Sequence, residues 1–223
     1  MKKILSSFAF ILSVTVLLAQ KNPPKFPGFL ITTNNDTIKG LIIVSEHSNN
    51  IELSNLFRDA TYIDSTGKQF TVRPNEYIIS FQFSNKLQNY YFERINLNDK
   101  PRKEPEYVFA LRIIKGYISL YEYSSDTETL MIKPALSPNV PTATNVAQRY
   151  SYYFLQKQNM SPSRVKRNFS FTAGVSGNND KNWLKNYFKD YPELTKKIGR
   201  DIETYELEIM VKEYNDWKGE KKE

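Results

Sequence analysis

Residues 107–123, YVFALRIIKGYISLYEY, decide the fold. β-Branched and aromatic side chains dominate them, the types that pack best on a pleated, half-buried surface. Lys115 and Gly116 interrupt the run and can reverse the chain, so Val108 to Ile114 and Tyr117 to Tyr123 read as two arms of a hairpin. Successive side chains of a strand point to opposite faces, which puts Ile118, Leu120 and Glu122 on one side of the second arm and Tyr117, Ser119, Tyr121 and Tyr123 on the other. One face is mainly aliphatic, and the other is rich in tyrosine.

Upstream, the pattern recurs in pairs separated by turn residues. Phe29 to Thr33 and Thr37 to Val44 flank Asn34, Asn35 and Asp36, which tolerate the positive φ of a tight turn, and Gly40 reads as a bulge or bend. Ala60 to Asp64 and Gln69 to Arg73 flank STGK, where Gly67 suits the turn. Ile78 to Phe83 and Tyr90 to Ile95 make a third pair around SNKLQN. Downstream, Leu130 to Lys133 reads as a further strand stopped by Pro134. Residues 134–149, PALSPNVPTATNVAQR, hold three prolines and one charge and read as a long Pro-rich loop. SYYFLQK (151–157) and Arg164 to Phe171 form the last predicted strand pair.

After residue 177 the period becomes helical. Trp183, Leu184, Tyr187, Phe188 and Tyr191 fall on one helix face, with Asp180 placed as N-cap. Asp190 and Glu193 bracket Pro192 in the spacing of a capping box, opening a short helix that Gly199 ends. The last helix gathers Leu207, Met210, Val211, Tyr214 and Trp217 on one side and pairs Glu208 with Lys212 on the other. The expected fold class is α+β: a mainly antiparallel β-sheet domain over residues 28–173, sandwich or open barrel, with C-terminal helices over 178–218 packed on the same domain.

The chain opens MKKILSSFAFILSVTVLLAQ. Two lysines, an apolar run from Ile4 to Leu18 that falls short of the roughly 20 residues of a membrane-spanning helix, and a small residue at Ala19 read as a signal peptide over 1–19. Residues 20–27, QKNPPKFP, read as an extended leader. Loss of residues 1–19 removes two lysines and no acid, lowering the net charge from +7 to +5. No transmembrane segment is expected after that removal. The absence of cysteine excludes disulfides, thiolate metal ligands, cysteine nucleophiles and the acylated cysteine of a lipoprotein. Fifteen tyrosines and fourteen phenylalanines supply apolar surface for a core without disulfides.

Catalytic motifs are missing. His47 is the sole histidine, set among polar neighbours in SEHSNN, and reads as a loop residue rather than a base or ligand. No P-loop, dinucleotide fingerprint or calcium loop occurs, so no cofactor or metal is expected. Asp36, Asp64, Glu76, Glu93 and Glu122 stand at or near strand ends and are the material from which a glycosidase carboxylate pair could be drawn. Arg164, Lys166 and Arg167 form the cleanest basic cluster, but isolated triplets usually mark an exposed strand face, and no nucleic-acid partner is expected. The candidate binding residues are Tyr117, Tyr121, Tyr123 and Tyr152 with Arg164, Lys166 and Arg167. Tyrosine offers broad apolar contact with a polar tip, suited to a sugar ring or a partner chain, although its commoner place on a helix-covered sheet is the core and its boundary.

GFLITTNNDTIKG at residues 28–40, KGYISLYEYSSD at 115–126 and LKNYFKDYPELTKKI at 184–198 resemble a class of exported Bacteroidota proteins that has no established activity. The resemblance covers most of the chain after the signal. It brings no functional residues, except that in such bacteria Asp-Thr followed by an aliphatic residue can accept an O-glycan, which makes Thr37 in Asp36-Thr37-Ile38 a modification candidate. Together these readings imply an exported protein of the bacterial cell envelope, periplasmic or extracellular and not a lipoprotein. It would act as a non-enzymatic binding or structural module with an envelope protein or glycan as partner. The alternative is a carboxylate-dependent glycan hydrolase.

Overall fold

Two asparagines and a glycine set the hairpins of this protein: Asn35 (φ 64°), Gly67 (φ 85°) and Asn159 (φ 64°) each occupy the left-handed region at a chain reversal. A computed structural model describes residues 23–47, 50–74, 77–98, 104–132, 143–165, 167–168, 178–203 and 206–220. Strand β1 (Lys25–Thr32) turns at Asn35 into β2 (Thr37–Ile43). The short β3 (Ser45–His47) and β4 (Asn50–Glu52) pair as a separate hairpin. A 3-10 turn at Ser54–Phe57 leads to β5 (Ala60–Ile63) and β6 (Gln69–Val72), followed by β7 (Ile78–Ser84), β8 (Asn89–Asn96), β9 (Tyr107–Ile114), β10 (Ile118–Ile132), β11 (Ala143–Lys157) and β12 (Ser163–Arg164). The two-residue strands β13 (Arg167–Asn168) and β14 (Asn178–Asn179) pair with each other before the helices α1 (Lys181–Tyr187), α2 (Pro192–Lys197) and α3 (Leu207–Glu220).

Ten strands form one antiparallel sheet in the order β12, β11, β10, β9, β8, β7, β1, β2, β5, β6. The protein is α+β, and its main sheet is one continuous layer with β12 and β6 as its two ends. Every neighbour pair but one is consecutive or nearly so in sequence. The exception seats β1 between β2 and β7, pairing Leu30 with both Ile38 and Phe81.

Several boundaries differ from the sequence expectation. β1 begins at Lys25, inside the expected leader, because Lys25 to Pro27 pair with Ile43 to Leu41. His47 ends a strand opposite Asn50 instead of lying in a loop. The predicted strand at Leu130 is the far end of β10, which runs unbroken to Ile132, and residues 143–149 of the predicted loop are strand, paired with residues 126–132. The rest of that loop, 134–142, lies outside the described residues, as do Lys133, Glu76 and residues 1–22 with the predicted signal peptide. Gly40 makes no bulge. It pairs in register with Gly28, and the Tyr62 ring occupies the space its Cβ would need, while the Gln82 carbonyl does the same at Gly28.

The β1–β9 end encloses an aromatic core around the 3-10 turn. Phe81 stacks on Phe92 at 4.7 Å, Phe83 on Tyr90 at 4.7 Å, and Phe57 meets Phe92 edge-on at 5.7 Å. Both stacked pairs are direct register partners across β7 and β8, so strand pairing and ring packing enforce each other. Each such ring contributes about 1.5–3 kcal/mol of burial free energy.

The helices cover the other end. Ile118, Leu120, Leu155 and Val165 from the sheet share one buried cluster with Leu184, Phe188, Leu194, Ile198, Leu207, Met210, Val211 and Tyr214. Asp180 caps α1 as expected, accepting from the backbone of Asn182 and Trp183, and Gly199 (φ 73°) closes α2. The capping box at Asp190 does not form. Tyr191 is the N-cap of α2 and makes no side-chain bond there, while Asp190 bonds Tyr214, Lys157 and Lys218 instead.

Candidate functional site

A cavity of about 560 Å³ opens over the strands β8 to β11. Its floor is a row of polar side chains set into otherwise apolar strands. Tyr121 of β10 lies opposite Arg112 of β9 and Phe154 of β11, and Ser119 lies opposite Gln156. Glu93 of β8 is opposite Ala110, two residues from Arg112. Direct partners share a face in an antiparallel sheet, so Glu93, Arg112, Ser119, Tyr121 and Gln156 converge on one side. Two turns build the rim: Lys115, Gly116 and Tyr117 between β9 and β10, and Gln158 and Asn159 after Lys157. A backbone bond from Gln158 to the Tyr117 carbonyl, 2.8 Å, ties these turns together.

A network of hydrogen bonds joins four of the floor residues, Glu93, Arg112, Tyr121 and Gln156. Arg112 Nη1 donates to Glu93 Oε1, and the guanidinium also lies 4.7 Å over the Tyr91 ring. The Tyr121 hydroxyl stands 2.7 Å from Glu93 Oε2 and 2.8 Å from Gln156 Oε1, sharing one proton between two acceptors. Gln156 Nε2 donates to the Met160 carbonyl and so fixes its amide orientation. Burial, then the charge and hydrogen bond of Glu93, push the Tyr121 phenol well above its ordinary value of 10.0, so it stays a neutral donor.

Lys157 joins this groove to the helical cap. Its ammonium bonds Asp190 Oδ1 at 3.0 Å and lies 5.2 Å from the Tyr187 ring and 5.3 Å from the Tyr214 ring. Asp190 also accepts from the Tyr214 hydroxyl and faces Lys218 at 3.4 Å. Burial opposes ionisation of Asp190, but the bonds from Tyr214 and Lys157 and the Lys157 charge outweigh it and hold the carboxyl below 3.8.

The predicted tyrosine face divides between three environments. Tyr121 is buried in the floor, and Tyr117 forms part of the wall while packing 6.1 Å from Tyr214. Tyr123 packs on Phe57 and Tyr152, away from the groove. Tyr117 stands in the turn just before β10 and lines the groove with Tyr121, so Tyr123 is the one that leaves it. Tyr152 is stacked by the Arg164 guanidinium at 4.0 Å, which ties that cation to a ring at the β12 edge. Arg167 lies in β13 opposite Asn179, and Lys166 lies outside the described residues. Thr37 is exposed at the start of β2.

Of the strand-end acids, Glu93 alone lines the groove among the described residues. Asp64 is used by its turn, accepting from Thr66 and Lys68. Among the described residues no group of three or more His, Asp or Glu side chains could hold a metal ion, and no helix is long and apolar enough to cross a membrane. Arg112, Gln156, Lys115, Gln158 and Asn159 escaped the sequence reading. Their signal was present as a polar residue at one position of an apolar strand: Arg112 in FALRII, Gln156 in YYFLQK. No protein family, curated protein or solved structure matches this chain.

Proposed function

We propose that this is an exported, non-enzymatic binding module of the bacterial cell envelope and that the groove over β8 to β11 takes a glycan. One observation carries the reading: a cavity of ligand-binding size whose floor is a closed hydrogen-bond network and whose wall holds a tyrosine ring. Hydroxyl-rich ligands need donors and acceptors together, and Ser119, Gln158 and Asn159 offer both beside Tyr117. A peptide adding a strand would need an open sheet edge, whereas β8 to β11 each have neighbours on both sides. Hydrolysis is disfavoured by the same geometry, since two carboxylates must flank a glycosidic bond, and among the described residues Glu93 is the groove's single acid and is occupied. The amino-terminal sequence and the resemblance to exported Bacteroidota proteins support the location.

Calorimetric titration of the chain from Gln20 onward with envelope oligosaccharides tests the reading. Binding that disappears in Ser119→Trp, with the fold intact by circular dichroism, is the expected result. A panel without any binder, or equal binding by the filled variant, would refute it. Cell fractionation tests the address: the processed chain should leave the cytoplasm, and retention there with residues 1–19 attached would exclude export.

A further inference from the structure

Resting on the glycan reading above, we propose that the ligand of this groove is an anionic saccharide, a sugar bearing a carboxylate, sulfate or phosphate, and that Lys115 and Lys157 read its charge. Among the described residues the groove is lined by three cations, Arg112, Lys115 and Lys157, and by one acid, Glu93. That acid is neutralised within the floor, with one oxygen on Arg112 and the other on Tyr121. Lys157 is likewise paired with Asp190, so the uncompensated positive charge at the mouth is that of Lys115.

The two lysines stand at the same end of the cavity. Lys157 is the register partner of Ile118, three residues beyond Lys115, and the next residue, Gln158, is bonded to the Tyr117 carbonyl. Lys115 is exposed, and its ammonium makes no hydrogen bond or ion pair with any described residue. An exposed lysine in bulk solvent is unremarkable, but this one lines a concave wall next to Tyr117, where a low-dielectric surface focuses its charge. Lys157 donates to one carboxylate, Asp190 at 3.0 Å, and an ammonium carries three donors, so others are left for a second oxyanion. Gln158 and Asn159 line the same cavity in the turn that follows Lys157, and Asn159 is held at φ 64°. They supply the neutral donors and acceptors for sugar hydroxyls, while the lysines meet the acidic group.

The test is titration of the folded chain from Gln20 onward with four probes: a neutral oligosaccharide, its uronate-containing counterpart, its sulfated or phosphorylated counterpart, and inorganic phosphate. An acidic sugar should bind about tenfold more tightly than the neutral one, as expected when one charge-assisted contact is added. That preference should shrink in Lys115→Gln and reverse in Lys115→Glu, while the neutral probe changes little. The uronate and ester arms identify which anion is recognised. Equal binding of neutral and acidic sugars would overturn the charge inference and leave the glycan reading standing. Phosphate binding as tightly as the sugars would overturn the saccharide part, and failure of all four probes would remove the glycan reading itself. Because Lys115 is exposed, its variants should fold as the parent does, and an unchanged melting temperature verifies this.

Discussion

The Asn215 carboxamide pairs with the backbone of Ile118, 97 residues away, as a neighbouring strand would. Its Oδ1 accepts from the Ile118 N–H at 2.7 Å, and its Nδ2 donates to the Ile118 carbonyl at 2.9 Å. Ile118 is wholly buried and begins β10, so α3 completes the ladder at the point where the β9–β10 hairpin turns. Gly116 makes this possible, since a side chain there would occupy the position of the Asn215 amide. Replacing Asn215 with Ala leaves a buried donor and acceptor unpaired, which costs about 1–3 kcal/mol. Urea denaturation should show that loss, and Gly116→Ala should be destabilising by the same contact. An Asn215→Ala variant of parental stability would mean that water satisfies Ile118 equally well.

Gly40 offers a second steric test. An alanine normally stabilises a glycine position of compatible backbone by about 0.4–1 kcal/mol through the unfolded chain. Here the Cβ would collide with the Tyr62 ring and the Ile63 carbonyl, so Gly40→Ala should lower the melting temperature instead. Gly28→Ala should do likewise against the Gln82 carbonyl, and a rise in stability for either would show that the paired strands can part at little cost.

These contacts mark where the sequence was legible. Local features could be read directly: Asn35 and Gly67 sit at positive φ in the hairpins they were expected to turn, and Asp180 caps its helix. Each depends on residues within a few positions. What could not be read depends on distant partners. Asp190 has the spacing of a capping box, yet a tyrosine and two lysines from α3 and β11 compete successfully for its oxygens. The alternation in 117–123 predicts one tyrosine face, but Tyr123 packs on Phe57 and Tyr152 while Tyr117 and Tyr121 line the groove. Glu93 was legible as a strand-end acid, whereas its partners Arg112 and Tyr121 come from β9 and β10. The pairing of β1 with β7 joins residues some fifty positions apart, and no local signal encodes it.

Stability should fall on both sides of neutrality. Asp190 has a folded value below 3.8, so its contribution is complete above the unfolded value and is lost as pH falls through the folded one. Tyr121, Tyr187 and Tyr214 are raised above 10.0, chiefly by burial. Their contribution is complete below 10.0 and is lost as pH rises, because the unfolded phenols ionise first. Melting temperature against pH should therefore show a plateau with acid and alkaline limbs. Asp190→Asn should lower the plateau and flatten the acid limb, and an unchanged limb in that variant would place the acid sensitivity elsewhere.

The same substitution should have opposite signs at two buried tyrosines. The Tyr62 hydroxyl is fully buried against Gly40 and finds no hydrogen-bond partner among the described residues. Folding removes it from water without replacement, so Tyr62→Phe relieves an uncompensated desolvation and should leave stability unchanged or raise it. Tyr121 is almost as buried, but its one proton serves Glu93 Oε2 and Gln156 Oε1 at the floor of the groove. Tyr121→Phe deprives a partly buried carboxylate of a donor and should cost about 1–3 kcal/mol. It should also leave Glu93 held by Arg112 alone, weakening the closed network on which the groove is built. Parallel denaturation of the two variants separates burial from bonding, since ring volume is nearly conserved in both. If Tyr121→Phe were as harmless as Tyr62→Phe, the floor would be ordinary packing and the groove would lose its claim to a preorganised surface.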